Sequence, residues 1–212
     1  GVTGLLGDGR SELFQSVFGA MGKSYTGKVT LGGREVHITN TYQALEEGIA
    51  YLPRNRKENA ILKDMSIIDN GSIVELPKIK KHRFFIDFDK QDKLFSKQME
   101  ELRIKMGAKS DPITSLSGGN QQKVVLAKWL MCGPRVLILD NPTQGVDVGA
   151  KAEIYRLMTE MVREGKTVIM ISSEMPELLG MCDRIMVMHE GHKMGELTAA
   201  EATQEKIMAM CV

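Results

Sequence analysis

Apolar residues in this chain gather in short blocks, and the blocks alternate with stretches of helical spacing. Residues 2–6 form the first block, followed by glycines at Gly7 and Gly9 and then by Phe14, Val17 and Phe18 at helical intervals; this predicts strand, loop and helix. Two brief alternating runs, 28–31 and 35–38, flank Gly32 and Gly33, the mark of a hairpin. Residues 41–47 predict a helix, and 49–52, closing at Pro53, a strand. From 58 to 115 the pattern is helical and more polar, with 91–106 its clearest helix and Gly107 expected as the C-cap. The remainder alternates regularly: helix 121–131, strand 136–140, helix 150–164 stopped by Gly165, strand 167–172, helix 176–181 and strand 185–188. Strands that are apolar on both faces and alternate with helices predict an α/β fold with a mostly parallel sheet covered by helices. A helical sub-lobe interrupts it.

Composition narrows the field. With 212 residues the chain is one domain, or one domain with a sub-lobe. Its 28 Lys and Arg balance 27 Asp and Glu, which excludes a polycation built to run along nucleic acid. Cys132, Cys182 and Cys211 are widely spaced and odd in number, so they read as thiols of a reducing compartment rather than a disulfide frame or zinc site. His37, His189 and His192 have no ligand-like spacing, and the methionines, Met158, Met161 and Met181 among them, read as core filler. No apolar run approaches the roughly 18 residues of a membrane span and no leader pattern opens the chain, which points to a cytoplasmic protein. The opening Gly1-Val2-Thr3-Gly4 reads as the end of a strand, as expected of a fragment of a longer chain.

Three motifs carry chemistry. Gly4, Gly7, Asp8, Gly9, Arg10, Ser11 and Glu12 follow the phosphate-loop pattern G-x-x-x-x-G-K-[ST], with Arg10 in place of Lys. Such a loop wraps phosphate in backbone N–H groups at a helix N-terminus, and Ser11 is placed to hold Mg²⁺. A guanidinium keeps the charge but is broader than an ammonium. Residues 136–139 are apolar and end on Asp140, a carboxylate suited to the Mg²⁺ of a bound nucleotide. Leu116-Ser117-Gly118-Gly119-Asn120-Gln121-Gln122-Lys123 opens another helix, with N–H donors and a dipole for a second phosphate.

In this order and spacing the motifs resemble those of ABC-type ATPase domains, residues 116–123 resembling the family's signature motif. The finer resemblance is to the second, C-terminal nucleotide-binding half of tandem monosaccharide-import ATPases of the ribose, galactose, xylose and arabinose type. It is carried by 117–123, by Pro142-Thr143-Gln144-Gly145-Val146-Asp147-Val148-Gly149-Ala150-Lys151, by Ser172-Ser173-Glu174 and by 179–184. The resemblance implies a P-loop fold of ABC type in a single domain, 1–212, with a RecA-like core (1–57 and 116–212) and a helical subdomain (58–115). The antiparallel strand layer that opens such domains would be largely missing, and a first ATPase half would precede it. The resemblance also implies ATP and Mg²⁺ as ligands, Ser11 and Asp140 as metal residues and Asp147 at a dimer seam. Asp147 also has the lesser reading of a turn residue ahead of a helix.

Four positions depart from the family pattern. Asn141 stands where the family has the Glu that polarises attacking water, Ser173 where it has the switch His, and Arg54 at the loop Gln or Glu; Arg10 is the fourth. An amide positions water but accepts no proton, so general-base help of roughly 10²- to 10⁴-fold is expected to be lost. The signature motif Ser117, Gly118, Gly119 and Gln121 is intact. The resemblance thus implies an energy-coupling half with a weak hydrolytic site of its own. It would pair head to tail with a homologous half and donate its signature motif there. It would work on the inner face of the membrane, beneath permease subunits fed by a sugar-binding protein, with the membrane contact near Arg54 and the sub-lobe. The alternatives are a regulatory nucleotide-binding module that never turns over and an ABC ATPase acting on nucleic acid or the ribosome. For the last, Lys78, Lys80, Lys81, His82 and Arg83 beside Phe84 and Phe85 would be the footprint; an even overall charge favours a solvated loop and no nucleic acid.

Overall fold

The computed structural model describes residues 1–23, 25–81 and 85–211. The chain runs through β1 (Val2–Gly4), α1 (Arg10–Val17), β2 (Val29–Leu31), β3 (Arg34–Val36), α2 (Thr41–Glu46), β4 (Ile49–Leu52), α3 (Arg56–Asn59) and α4 (Ile67–Ser72). The short strands β5 (Lys80–Lys81) and β6 (Phe85–Ile86) precede α5 (Phe88–Glu101) and α6 (Gly118–Leu130). Then follow β7 (Val136–Asp140), α7 (Val148–Arg163), β8 (Thr167–Ile171), α8 (Met175–Met181), β9 (Arg184–His189), β10 (His192–Thr198) and α9 (Gln204–Ala209).

These elements form two compact units. The first comprises Gly1–Arg54, Arg135–Pro142 and Thr167–Val212. Its sheet has the order β10-β9-β1-β8-β7-β4, and every neighbouring pair is parallel except β9 with β10. Leu137, Ile138 and Leu139 are fully buried and so is Leu52 beside them, which is why these strands read as continuous apolar runs. Parallel strands put their carboxyl ends on one edge, so the residues that follow β1, β4, β7 and β8 are gathered there by topology alone. The glycine hairpin forms as expected: β2 and β3 pair with Leu31 opposite Arg34, and Gly32 and Gly33 both take the positive φ (58° and 79°) that this tight turn demands.

The second unit comprises Asn55–Pro134 and Thr143–Lys166, a wider set than residues 58–115. Its core includes Ile67, Phe95, Ile113, Val124, Leu126, Ile154 and Met161. Helices α4 and α5 approach so closely that a Cβ on Gly71 would fall 2.2 Å from the Phe95 ring. Helix α7 stops as its sequence predicts: Gly165 adopts φ 80° and the amides of Gly165 and Lys166 return to Val162 and Met161. Helix α5 corrects the expectation. It starts at Phe88 and ends at Glu101, and Gly107 is not its cap. Arg103 takes the left-handed conformation instead (φ 49°), while the amide of buried Ile104 bonds back to Met99. Burial of Ile104 outweighs the small cost of a left-handed non-glycine residue.

The basic run lies partly outside the described residues, which exclude His82, Arg83 and Phe84; Lys80 and Lys81 are exposed on β5. Among the described residues, all three cysteines are unpaired and no helix is long and apolar enough to cross a membrane.

Candidate functional site

The first unit carries the phosphate loop at the end of β1. Gly9 is the N-cap of α1 with φ 85°, a left-handed value that lets the chain turn from loop to helix without a Cβ penalty. Gly7 is also left-handed (φ 87°). Asp8 folds back inside the loop and is 4% exposed, its Oδ1 accepting the backbone N–H of Arg10 at 3.0 Å. A Cβ at Gly4 would lie 1.8 Å from Asp8 Oδ2, so only glycine fits there. The loop thus holds an anion of its own at the start of the helix, where the dipole and the N–H groups favour negative charge.

Arg10 is as buried as Asp8, also 4% exposed. Its Nη1 donates to the Gly4 carbonyl at 2.7 Å, its Nη2 donates to Ser173 Oγ at 2.8 Å, and its Nε lies 3.6 Å from Asp8 Oδ1. Ser11 is half-buried and Glu12 exposed in the first turn of α1.

At the neighbouring strand ends, Asp140 is completely buried. Its Oδ2 accepts from Tyr51 Oη at 2.9 Å and its Oδ1 from Asn141 Nδ2 at 3.0 Å. Burial pushes the Tyr51 phenol well above its ordinary range, and the adjacent Asp140 charge adds to the shift. The Tyr51 ring stacks on Phe18 with centroids 5.6 Å apart. Asn141 is left-handed (φ 48°), a conformation asparagine tolerates, and its Oδ1 accepts the backbone N–H of Ser173 at 3.3 Å. Arg54, the last residue of this unit's first segment, is exposed. Arg10, Asp140, Asn141 and Ser173 are therefore brought together.

Hard oxygen donors suit Mg²⁺, which is bound through one or two carboxylates plus substrate phosphates rather than by an all-protein cage. Ser11 and Asp140 fit that description. No cluster of three or more His, Cys, Asp or Glu that would make such a cage occurs among the described residues.

The second unit carries the other glycine-rich helix start. Ser117 is exposed and caps α6, its Oγ accepting from Asn120 N at 3.4 Å and from Asn120 Nδ2 at 3.1 Å. Gln121 turns its Nε2 back to the Leu116 carbonyl at 3.1 Å, bracing the approach to the loop. Asp147 caps α7 through Oδ1 to Ala150 N at 2.9 Å, and that hydrogen bond holds its carboxyl below the usual range. The two helix starts are pressed together: a Cβ at Gly119 would lie 2.9 Å from Ala150 Cβ and 3.0 Å from Asp147 Oδ2. Lys123 is buried, donating to the Arg103 carbonyl at 3.2 Å and pairing with Glu153.

Two residues escape a reading of the sequence. Tyr51 is one; its signal is a phenol on a strand that is otherwise wholly apolar, since a buried hydroxyl demands an acceptor. Arg56 is the other, donating from Nη1 to the Gln144 carbonyl at 2.8 Å and from Nη2 to that of Gly145 at 3.2 Å. It has no motif to mark it.

Comparisons with known proteins bear on the family and the fold. A family model described as ABC transporter matches residues 1–144. The chain is 47% identical over 211 residues to the ribose import ATP-binding protein RbsA of Streptococcus agalactiae serotype Ia, covering 99% of this chain and 42% of that protein. It is 45% identical over 210 residues to RbsA of Bacillus subtilis strain 168, with coverage of 99% and 42%. To the xylose import ATP-binding protein XylG of Geobacillus kaustophilus it is 45% identical over 208 residues, covering 98% and 41%. The chain thus spans about two fifths of the length of these curated relatives, 41% to 42% in each case. Among solved structures, an ATP-binding cassette of an ABC transporter shares the fold with a TM-score of 0.81 at 21% identity, covering 100% of this chain and 86% of that one.

Proposed function

The chain belongs to the ABC transporter family, and on that premise we propose that it is the ATP-binding, energy-coupling half of a monosaccharide importer. It pairs head to tail with a homologous ATPase half and acts on permease subunits at the inner face of the membrane, downstream of a sugar-binding protein. The names of its relatives, ribose and xylose import ATP-binding proteins, support the sugar class.

Each half of such a pair holds nucleotide between one phosphate loop and the other half's signature motif. In this chain the position where the family has its water-polarising Glu holds an amide, which accepts no proton: Asn141 stands beside Asp140, and its amide is already bonded to Asp140 and Ser173. Glycines 4, 7 and 9, with Ser11 and Glu12 beside them, form the nucleotide cradle. Ser11 and Asp140 would hold Mg²⁺, which neutralises phosphate charge when bound. Ser117 and Gly118, by contrast, present an intact helix start, with Gly119 and Gln121 bracing it and Asp147 capping its neighbour at the pair's seam. The observation that carries the proposal is this asymmetry: Arg10 is bonded to Ser173 and Ser173 to Asn141, while Ser117 is exposed. Hydrolysis then occurs in the partner's loop, completed by Ser117 from this chain.

The test is ATP turnover by the intact transporter. Ser117→Ala is expected to cost on the order of 10² in rate, the range for removing one donor from a transition-state site. Asn141→Ala is expected to cost far less. Equal losses would defeat the asymmetric reading, and binding without turnover in the unsubstituted transporter would favour a regulatory module instead.

A further inference from the structure

Three of the positions at which this chain departs from its family pattern are 10, 141 and 173, far apart in sequence. They are consecutive links of one hydrogen-bonded line. Arg10 Nη2 donates to Ser173 Oγ (2.8 Å), the Ser173 backbone N–H donates to Asn141 Oδ1 (3.3 Å), and Asn141 Nδ2 donates to Asp140 Oδ1 (3.0 Å). The two outer links, Arg10 to Ser173 and Asn141 to Asp140, depend on the residue type present. A planar guanidinium serves the Gly4 carbonyl and the Ser173 hydroxyl with two nitrogens at a fixed separation, whereas lysine would have to bring one atom within reach of both. A carboxylate at 141 would accept from Ser173 but has no N–H for Asp140, and it would set two anions side by side. A protonated imidazole at 173 would offer Arg10 only donors and a like charge.

We propose that Arg10, Ser173 and Asn141 act as one unit, in which Arg10 contacts the phosphates of a nucleoside triphosphate and Ser173 and Asn141 are positioning residues for its guanidinium. The inference rests on the reading that this loop holds nucleotide. Nη1 and Nη2 each carry a second N–H beyond those given to Gly4 and Ser173, and these are the groups that would meet phosphate oxygens as charge-assisted hydrogen bonds. The three departures are thus mutually dependent rather than three separate losses. Restoring lysine at 10 or glutamate at 141 alone removes a link of the line.

A double-mutant cycle on the full chain tests this, read as the affinity for a fluorescent methylanthraniloyl-ATP. Arg10→Lys and Ser173→Ala are each expected to weaken binding, Arg10→Lys by about tenfold, the scale of one hydrogen bond to a charged group. The Arg10→Lys/Ser173→Ala double variant is expected to be no weaker than Arg10→Lys alone. Asn141→Glu is expected to weaken binding, and the Arg10→Lys/Asn141→Glu/Ser173→His triple variant to recover it. Losses that multiply in the double variant, or an Asn141→Glu chain that binds as well as the unsubstituted one, overturn the coupling and leave the proposed function standing. Absence of binding by the unsubstituted chain overturns both.

Discussion

At the start of α1 the charged groups turn inward and meet one another; at the start of α6 the capping side chain turns out to solvent. Asp8 and Arg10 are buried together, whereas Ser117 is exposed. Both are glycine-rich helix starts with the same unsatisfied N–H groups and the same dipole. One has supplied its own anion from within the loop, and the other has been braced from behind by Gln121, Gly119 and the capped start of α7. The contrast separates two demands that a single nucleotide site usually combines, stability of the loop and availability of its donors. Substitutions at the first loop should therefore be felt in folding, and substitutions at the second in turnover.

The strongest way to break the contrast is Arg10→Met. It strands the Asp8 carboxylate, whose Oδ2 is already buried without a hydrogen bond, and is expected to cost about 3–5 kcal/mol in denaturant unfolding. A loss below about 1 kcal/mol would show that the loop does not depend on its internal ion pair. Tyr51→Phe comes next: it leaves Asp140 Oδ2 without its donor, and about 1–3 kcal/mol is expected by the same measurement. Ser117→Ala should cost only about 1 kcal/mol of stability, the worth of an N-cap, while cutting turnover severely. If it unfolded the protein as readily as Arg10→Met does, the two helix starts would not differ in kind.

The smallest effect concerns pH. Lys128 in α6 is buried, donates to the Ala60 carbonyl at 2.7 Å, and is driven down by burial to about 8. Well below pH 8 both folded and unfolded chains carry its proton, at a cost to the folded state. From about pH 8 up to the ordinary lysine range only the unfolded chain keeps it, so the stability attributable to this group rises with pH across that window. Thermal unfolding of Lys128→Met should lack this rise; a parallel pH profile would locate the dependence elsewhere.

The parallel sheet was legible because Leu137, Ile138 and Leu139 are buried on both faces and leave no polar alternation to mislead. The glycine-rich starts of α1 and α6 were legible because glycine and cap residues act within a few positions of one another. What the pattern missed depends on distant partners. Strand β10 alternates weakly, slips register between Lys193 and Gly195, and is held by pairing with β9. The stop of α5 at Arg103 depends on the burial of Ile104, while Gly107, the more obvious signal, lies beyond it. Tyr51 meets Asp140 from 89 residues away, and Arg56 reaches Gln144 from 88. Lys123, read within a motif, serves instead as a tie to Arg103 and Glu153.

The carboxylate of Asp8 has a further consequence in kinetic terms. A loop that carries its own counter-ion reaches its working shape while the protein folds. On the proposed reading, an arriving phosphate would exchange with an existing partner instead of ordering a slack segment, so little conformational entropy would be lost on association and loading would be limited by the breaking of the Asp8 and Arg10 contacts rather than by the search of a mobile chain.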